Sequence, residues 1–312
     1  MVRWMLLIVV GTALLASCST LVDETPTDST TTTVGDVTTA TTPETVTTTT
    51  EAPTTTPAST SVEPEPSKSL PRDATSGVVA LLWPREAAVA QGLRPPLIVL
   101  VPGGGWITAD PTGLMPLAEE LADAGAIVAP ITYRAANDNA FFPIPAQDVA
   151  CAVAHATATV RAAGHEIGDI VVVGHSSGAH LGALVSLRPL PLSAECEDPA
   201  VAPDRFIGLA GPYDVVQAQR FAIDLFGPDN SDPTRWSEGN PLDHADQRLN
   251  VAVLLIHGTS DRTVPVYFTE AFAAALTAGG HHIDTAYPQD ADHHTIYSPE
   301  IAAPIITQWL GL

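Results

Sequence analysis

The sequence predicts an α/β fold, with a mostly parallel central sheet and helices on both faces. Three observations carry that prediction. From residue 76 to 312, strand-like apolar runs alternate with helix-like segments. The strand-like runs, such as Val171-Val172-Val173, are apolar at successive positions, as strands covered on both faces are. The helix-like segments stop at glycines: Gly125, Gly164 and the pair Gly279-Gly280.

Taken in order, 78–83 and 96–101 read as strands, the second running into Pro102-Gly103-Gly104-Gly105-Trp106. Residues 114–124 have helical spacing, and 126–133 is the next strand. An Ala-rich helix follows over 144–163. The valine strand leads straight into Gly174-His175-Ser176-Ser177-Gly178, with a helix starting at once. Strands are expected at 206–209, 251–256 and 283–287, and helices at 266–278 and 301–310. Residues 189–204 and 218–247 read as long irregular connections, the expected walls or cap of a pocket. Phe226 and Trp236 either line that pocket or pack inside the fold.

The N-terminal quarter is different. Arg3 precedes an apolar run that ends in Leu15-Ala16-Ser17-Cys18. The run is too short to span a bilayer and suits a secretory leader. The tetrad resembles the lipobox of bacterial lipoproteins, which implies a leader over 1–17, a lipidated Cys18 and a membrane partner through that anchor. From 23 to 61, 19 of 39 residues are Thr, with Pro interspersed and no aromatic. Such a stretch buries too little apolar surface to offset chain entropy, so 18–75 is expected to be a disordered tether, about 40 Å across as a coil. Removing Cys18 leaves Cys151 and Cys196, which are expected to pair in an oxidising compartment. The net charge of −22 argues against a nucleic-acid partner. Neither a Gly-x-Gly-x-x-Gly nor a P-loop pattern is present, and no cofactor is implied.

The chemistry gathers where the expected strands end, which is where ligands sit in an open α/β sheet. Ser176 lies on a strand-turn-helix elbow, and small neighbours leave its hydroxyl accessible for nucleophilic attack. A serine needs an adjacent base, and the base needs a carboxylate to orient it. Asp261, in His257-Gly258-Thr259-Ser260-Asp261, follows the 251–256 strand and is the candidate acid. Asp290-Ala291-Asp292-His293-His294 follows the next strand, and one of its two histidines is the candidate base. His281 and His282 precede that strand and lie at the wrong end. Backbone N–H groups of Gly104, Gly105 and Ser177 form a consistent set of donors for an oxyanion. A metal site built on the two His-His pairs lacks the H-E-x-x-H spacing, and no metal is expected.

Together these stretches resemble the α/β-hydrolase fold, in its esterase/lipase branch with an HGGGW-type oxyanion loop. The nearest group is the BD-FAE-like (bacterial feruloyl-esterase-like) one, which is also similar to kynurenine formamidases. The resemblance covers 76–312 and includes Phe142-Pro143 with Asp148, and Gly211-Pro212-Tyr213-Asp214. It implies Ser176 as nucleophile, Asp261 as acid and, through the turn Asp290-Ala291-Asp292, His293 rather than His294 as base. Pro102 stands where the family has a histidine that braces the oxyanion loop. The expected substrate is a small-molecule carboxylic ester. An arylformamidase or other amidase, and a non-catalytic surface binding protein on the same scaffold, are the alternatives.

Overall fold

The computed structural model describes residues 77–84, 94–189, 196–228 and 230–312. The leader, Cys18 and all of the tether lie outside those residues, so the expectations placed on them are not addressed by the fold.

Six parallel strands form the sheet: β1 (Leu97–Val101), β2 (Ile127–Pro130), β3 (Ile170–His175), β4 (Arg205–Leu209), β5 (Ala252–Ile256) and β6 (Ile283–Ala286). Their spatial order is β2-β1-β3-β4-β5-β6. The register runs Leu97 beside both Ile127 and Ile170, and Phe206 beside both Val172 and Val253. Every residue of β1, β2 and β3 is buried, because helices cover both faces. One face carries α2 (Ile144–Ala162), α3 (Ser177–Leu187) and α6 (Tyr267–Gly279), packed on Val99, Val172, Phe206 and Leu255. The opposite face carries α1 (Met115–Asp123) and α7 (Pro299–Leu310), packed on Leu100, Val173, Ile207 and Ile256. The alternation along each strand is the period of two that sends successive side chains to opposite sides.

Two expectations are corrected. The segment 78–83 is not a strand: it pairs through two isolated antiparallel bridges, Leu82 with Val128 of β2 and Val78 with Ile131 just beyond it. Between them Val79 N–H donates to the Pro130 carbonyl at 3.0 Å, but Pro130 has no N–H to return, so the ladder cannot close. The connection 218–247 is not irregular: it holds α4 (Gln219–Phe226) and α5 (Pro233–Glu238). In α4, Ala222, Leu225 and Phe226 form the buried stripe at helical spacing. In α5, the Asp232 side chain accepts from Thr234 N–H at 2.9 Å and Pro233 opens the first turn, a start signal legible in the sequence.

Cys151 on α2 and Cys196, in the connection before β4, are joined in a disulfide with their Cα atoms 5.2 Å apart. Beside it His155, one turn along α2, pairs with Asp198 at 2.8 Å. No helix among the described residues is long and apolar enough to cross a membrane.

Candidate active site

The site begins with the turn that ends β3. Ser176 has φ 52° and ψ −123°, a conformation that costs a non-glycine residue about 1–3 kcal/mol and persists only when the surroundings impose it. Its N–H donates to the Leu209 carbonyl at 2.9 Å, and its own carbonyl receives the N–H groups of Ala179 and His180 in the first turn of α3. The flanking glycines follow from close approach. A Cβ at Gly174 would overlap the Gly178 carbonyl, and one at Gly178 would overlap the carbonyl oxygens of Val101 and Pro102. Strand, elbow and neighbouring strand end are therefore pressed together with no room for a methyl group.

His293 approaches from the loop after β6, and Asp261 from the loop after β5. His293 Nε2 lies 2.9 Å from Ser176 Oγ, and His293 Nδ1 lies 2.7 Å from Asp261 Oδ2. All three are buried, with 8%, 5% and 9% of their surface exposed for Ser176, His293 and Asp261. Burial pushes the Asp261 carboxyl up. Hydrogen bonds from His257, His293 and the Val264 N–H outweigh this and hold it well below the usual carboxylate range. The N–H groups of Thr263 and Val264 reach its Oδ1 at 2.8 and 2.9 Å, and His257 Nε2 stands 3.3 Å from Oδ2. An ionised carboxylate only accepts, so Nδ1 of neutral His293 carries the proton and Nε2 presents its lone pair to the serine hydroxyl.

The backbone of His293 is held as well. His175 Nε2–H donates to its carbonyl at 2.9 Å, and the His175 ring packs 4.8 Å from the His293 ring and 4.5 Å from Tyr297. Burial, followed by the neighbouring His293, lowers the His175 pKa to about 3, so this ring is neutral. His294 is exposed. Its N–H donates to Asp292 Oδ1 at 2.9 Å, a carboxylate that otherwise receives Thr295 N–H at 2.8 Å and closes the turn. Of the two candidate bases the structure brings only His293 to the serine.

The glycine loop after β1 lies against the elbow: a Cβ at Gly103 would stand 3.0 Å from Ser176 Cβ. Within it the Gly104 carbonyl accepts from Ile107 and Thr108 N–H at 3.0 and 3.2 Å, closing a tight turn. Tyr133 O–H donates to the Pro102 carbonyl at 3.1 Å and lies 3.4 Å from Ser177 Oγ. Burial raises the Tyr133 pKa to about 12, despite the hydrogen bond from Ser177, so it stays a phenol.

Sequence reasoning named Ser176, Asp261, His293, Gly104, Gly105 and Ser177, and all six lie at the carboxyl ends of the strands. It missed the supporting histidines and Tyr133. His257 was visible as a histidine four residues before Asp261, and Tyr133 as an aromatic ending an expected strand. Nothing local assigns either a partner. His281 sits at the other end of β5, its ring bonded to the Val251 and Gln247 carbonyls at 3.2 and 2.8 Å. The open choice for Phe226 and Trp236 resolves to packing. Phe226 is 1% exposed, its ring centroid 4.2 Å from that of Trp236 and 5.7 Å from that of Phe142.

A model of the BD-FAE family matches residues 87–276, more than half of the chain. Among curated proteins, Esterase LipQ of Mycobacterium tuberculosis is 27% identical over 220 residues, covering 64% of this chain and 49% of that protein. Esterase LipC of the same organism is 28% identical over 198 residues, covering 59% and 48%. The chain thus spans about half the length of the curated relatives it matches. Among solved structures, the thermophilic esterase Est2 of Thermogutta terrifontis aligns with a TM-score of 0.59 at 22% identity, covering 74% of this chain and 84% of that one. An acetyl ester-xyloside bifunctional hydrolase from Caldicellulosiruptor lactoaceticus aligns at 0.61 and 19% identity, covering 77% and 90%. These structures share the α/β-hydrolase fold seen here. By the span of the family match, this chain belongs to the BD-FAE family.

Proposed function

We propose that this chain is a serine hydrolase that cleaves small carboxylic esters through an acyl-enzyme. One observation carries the reading: the continuous hydrogen-bond chain that starts at Ser176 Oγ on a strained elbow and runs through His293 to Asp261. Ser176 Oγ attacks the acyl carbon while its proton passes to His293 Nε2. The oxygen of the resulting tetrahedral intermediate is met by the N–H groups of Gly104, Gly105 and Ser177. The carbon–oxygen bond to the alcohol breaks, and His293 returns the proton to the departing oxygen. Water then attacks the acyl carbon while its proton passes to His293 Nε2, the bond to Ser176 Oγ breaks, and His293 returns that proton to Oγ as the acid leaves. Asp261 fixes the tautomer of His293 and stabilises the imidazolium formed in each half. The esterase names of LipQ, LipC and Est2 support ester rather than amide substrates.

The test is labelling by a fluorophosphonate together with a panel of esters graded in chain length and including acetyl-sugar and feruloyl esters. Labelling at Ser176 and turnover of at least one ester class support the reading. A chain that neither labels nor hydrolyses any of them is not a serine hydrolase. We further propose that the protein is exported and held at a membrane by lipid on Cys18, on the strength of Leu15-Ala16-Ser17-Cys18 after the apolar leader. Mass spectrometry of membrane-extracted protein tests this, and cleavage elsewhere with an unmodified Cys18 refutes it.

A further inference from the structure

The family's brace for the oxyanion loop is missing at Pro102, yet the loop contains a strained residue that something must hold. Trp106 has φ 61°, a left-handed backbone for a bulky side chain, and is 1% exposed. Its indole N–H donates to His180 Nδ1 at 3.2 Å, with the rings edge-on and their centroids 5.1 Å apart. The other nitrogen of that ring, Nε2, lies 2.8 Å from the carbonyl of Gly239, the residue that ends α5. His180 is itself completely buried, one helical turn beyond the serine, and its N–H donates to the Ser176 carbonyl at 3.1 Å.

The hydrogen-bond roles leave only one assignment. An indole nitrogen only donates and a carbonyl only accepts, so Nδ1 is the acceptor, Nε2 carries the proton, and the ring is neutral. Burial, acting against the hydrogen bond to Gly239, lowers its pKa to about 4 and keeps it neutral. A single buried imidazole thus joins three pieces: the glycine loop, the helix that opens at the nucleophile, and the helix end between β4 and β5.

We propose that His180 is a positioning residue for the oxyanion loop, holding Trp106 from the elbow helix and so supplying the bracing that position 102 does not. This rests on the serine-hydrolase reading, because the loop has that role only if Gly104 and Gly105 meet an oxyanion. Trp106→Phe keeps the ring and removes only the N–H. His180→Leu removes both bonds, while His180→Asn keeps an oxygen close to where Nδ1 sits. Loss of one well-placed oxyanion donor lowers turnover about 10²- to 10³-fold, and a displaced loop should lose part of that.

The experiment measures kcat and KM for p-nitrophenyl acetate, with thermal unfolding in parallel, in the wild type, the three single variants, Ser176→Ala, and the double variant Trp106→Phe with His180→Leu. The expected result is a fall in kcat of roughly 10-fold or more in Trp106→Phe and in His180→Leu, with KM within about threefold. His180→Asn should be faster than His180→Leu, and the double variant no slower than the worse single, because one bond is removed twice. A Trp106→Phe enzyme with kcat within threefold of wild type overturns the proposal, and so do losses that multiply in the double variant. If His180→Leu fails to fold, Trp106→Phe and His180→Asn alone decide. Failure of the function reading is distinct: the wild type would then not hydrolyse the ester, or Ser176→Ala would do so equally well, and the proposal would fall with it.

Discussion

His175 Nε2–H donates to the main-chain oxygen of His293 at 2.9 Å, so the residue beside the proposed nucleophile holds the backbone of the proposed base. The side chain of His293 is aimed by Asp261 and its main chain by His175, from a loop and a strand end that meet only in the folded protein. His175→Phe keeps a ring against Tyr297 and removes the donor. Ester turnover is expected to drop about tenfold, since small misplacements of a catalytic group are costly. Steady-state kinetics at saturating ester checks this, and an unchanged kcat would show the bond to be dispensable.

Ser176→Ala and His293→Ala should each lower kcat by about 10⁴-fold or more, and the double variant should be little worse than either, because the residues act as a unit. His294→Ala should keep most of its activity, as His294 is exposed and its ring only stands edge-on to that of His293, with centroids 5.7 Å apart. The comparison needs one ester assayed across the wild type and the four variants. An inactive His294→Ala alongside an active His293→Ala would reverse the assignment.

Stability should fall on acidification below the ordinary histidine range. His175 and His180 have pKa values lowered to about 3 and about 4, both chiefly by burial. The unfolded chain therefore takes up these protons near pH 6.5 while the folded protein does not, and ∂ΔG/∂pH is positive over that window. The contribution is fully present above pH 6.5, is lost as pH falls towards 4 and then 3, and changes no further below that. Asp261, also lowered, adds loss of the same sign below its ordinary value of 3.8. Denaturant unfolding at pH 7.5, 6 and 5 measures the slope, and a flat profile between 6 and 5 would contradict it.

Reduction of the Cys151–Cys196 bond should destabilise the fold without removing activity. The bridge closes 45 residues of chain, and loop-closure entropy for that length is worth about 4 kcal/mol. It ties α2 to the connection before β4, away from the loops that carry Ser176, Asp261 and His293. Thermal unfolding with and without reductant, beside an ester assay at 25 °C, separates the two effects. Equal melting temperatures, or loss of turnover in protein that remains folded, would contradict this.

Much of this protein was legible before folding. Val171 to Val173 announced a strand buried on both sides, the glycines around Ser176 announced an elbow, and Asp261 and His293 stood just after strands. Local chemistry is enough for these, because strand period, turn sterics and helix stops act over a few residues. The errors lay where local signals compete. Pro130 interrupts a ladder that the apolar run 78–83 would otherwise join, and the short α4 and α5 gain their stability from packing Phe226 and Trp236 rather than from propensity.

What only the tertiary structure decided is who touches whom across long stretches of chain. The residue string alone left His293 and His294 as equals, and a family likeness was needed to separate them. Folding separates them physically, since only His293 has Ser176 and Asp261 on its two nitrogens. The same holds for His175, His180 and Tyr133, whose partners lie 118, 59 and 31 residues away. A buried polar side chain must find a partner, but which one is set by the parallel sheet, which brings the ends of distant strands to one edge.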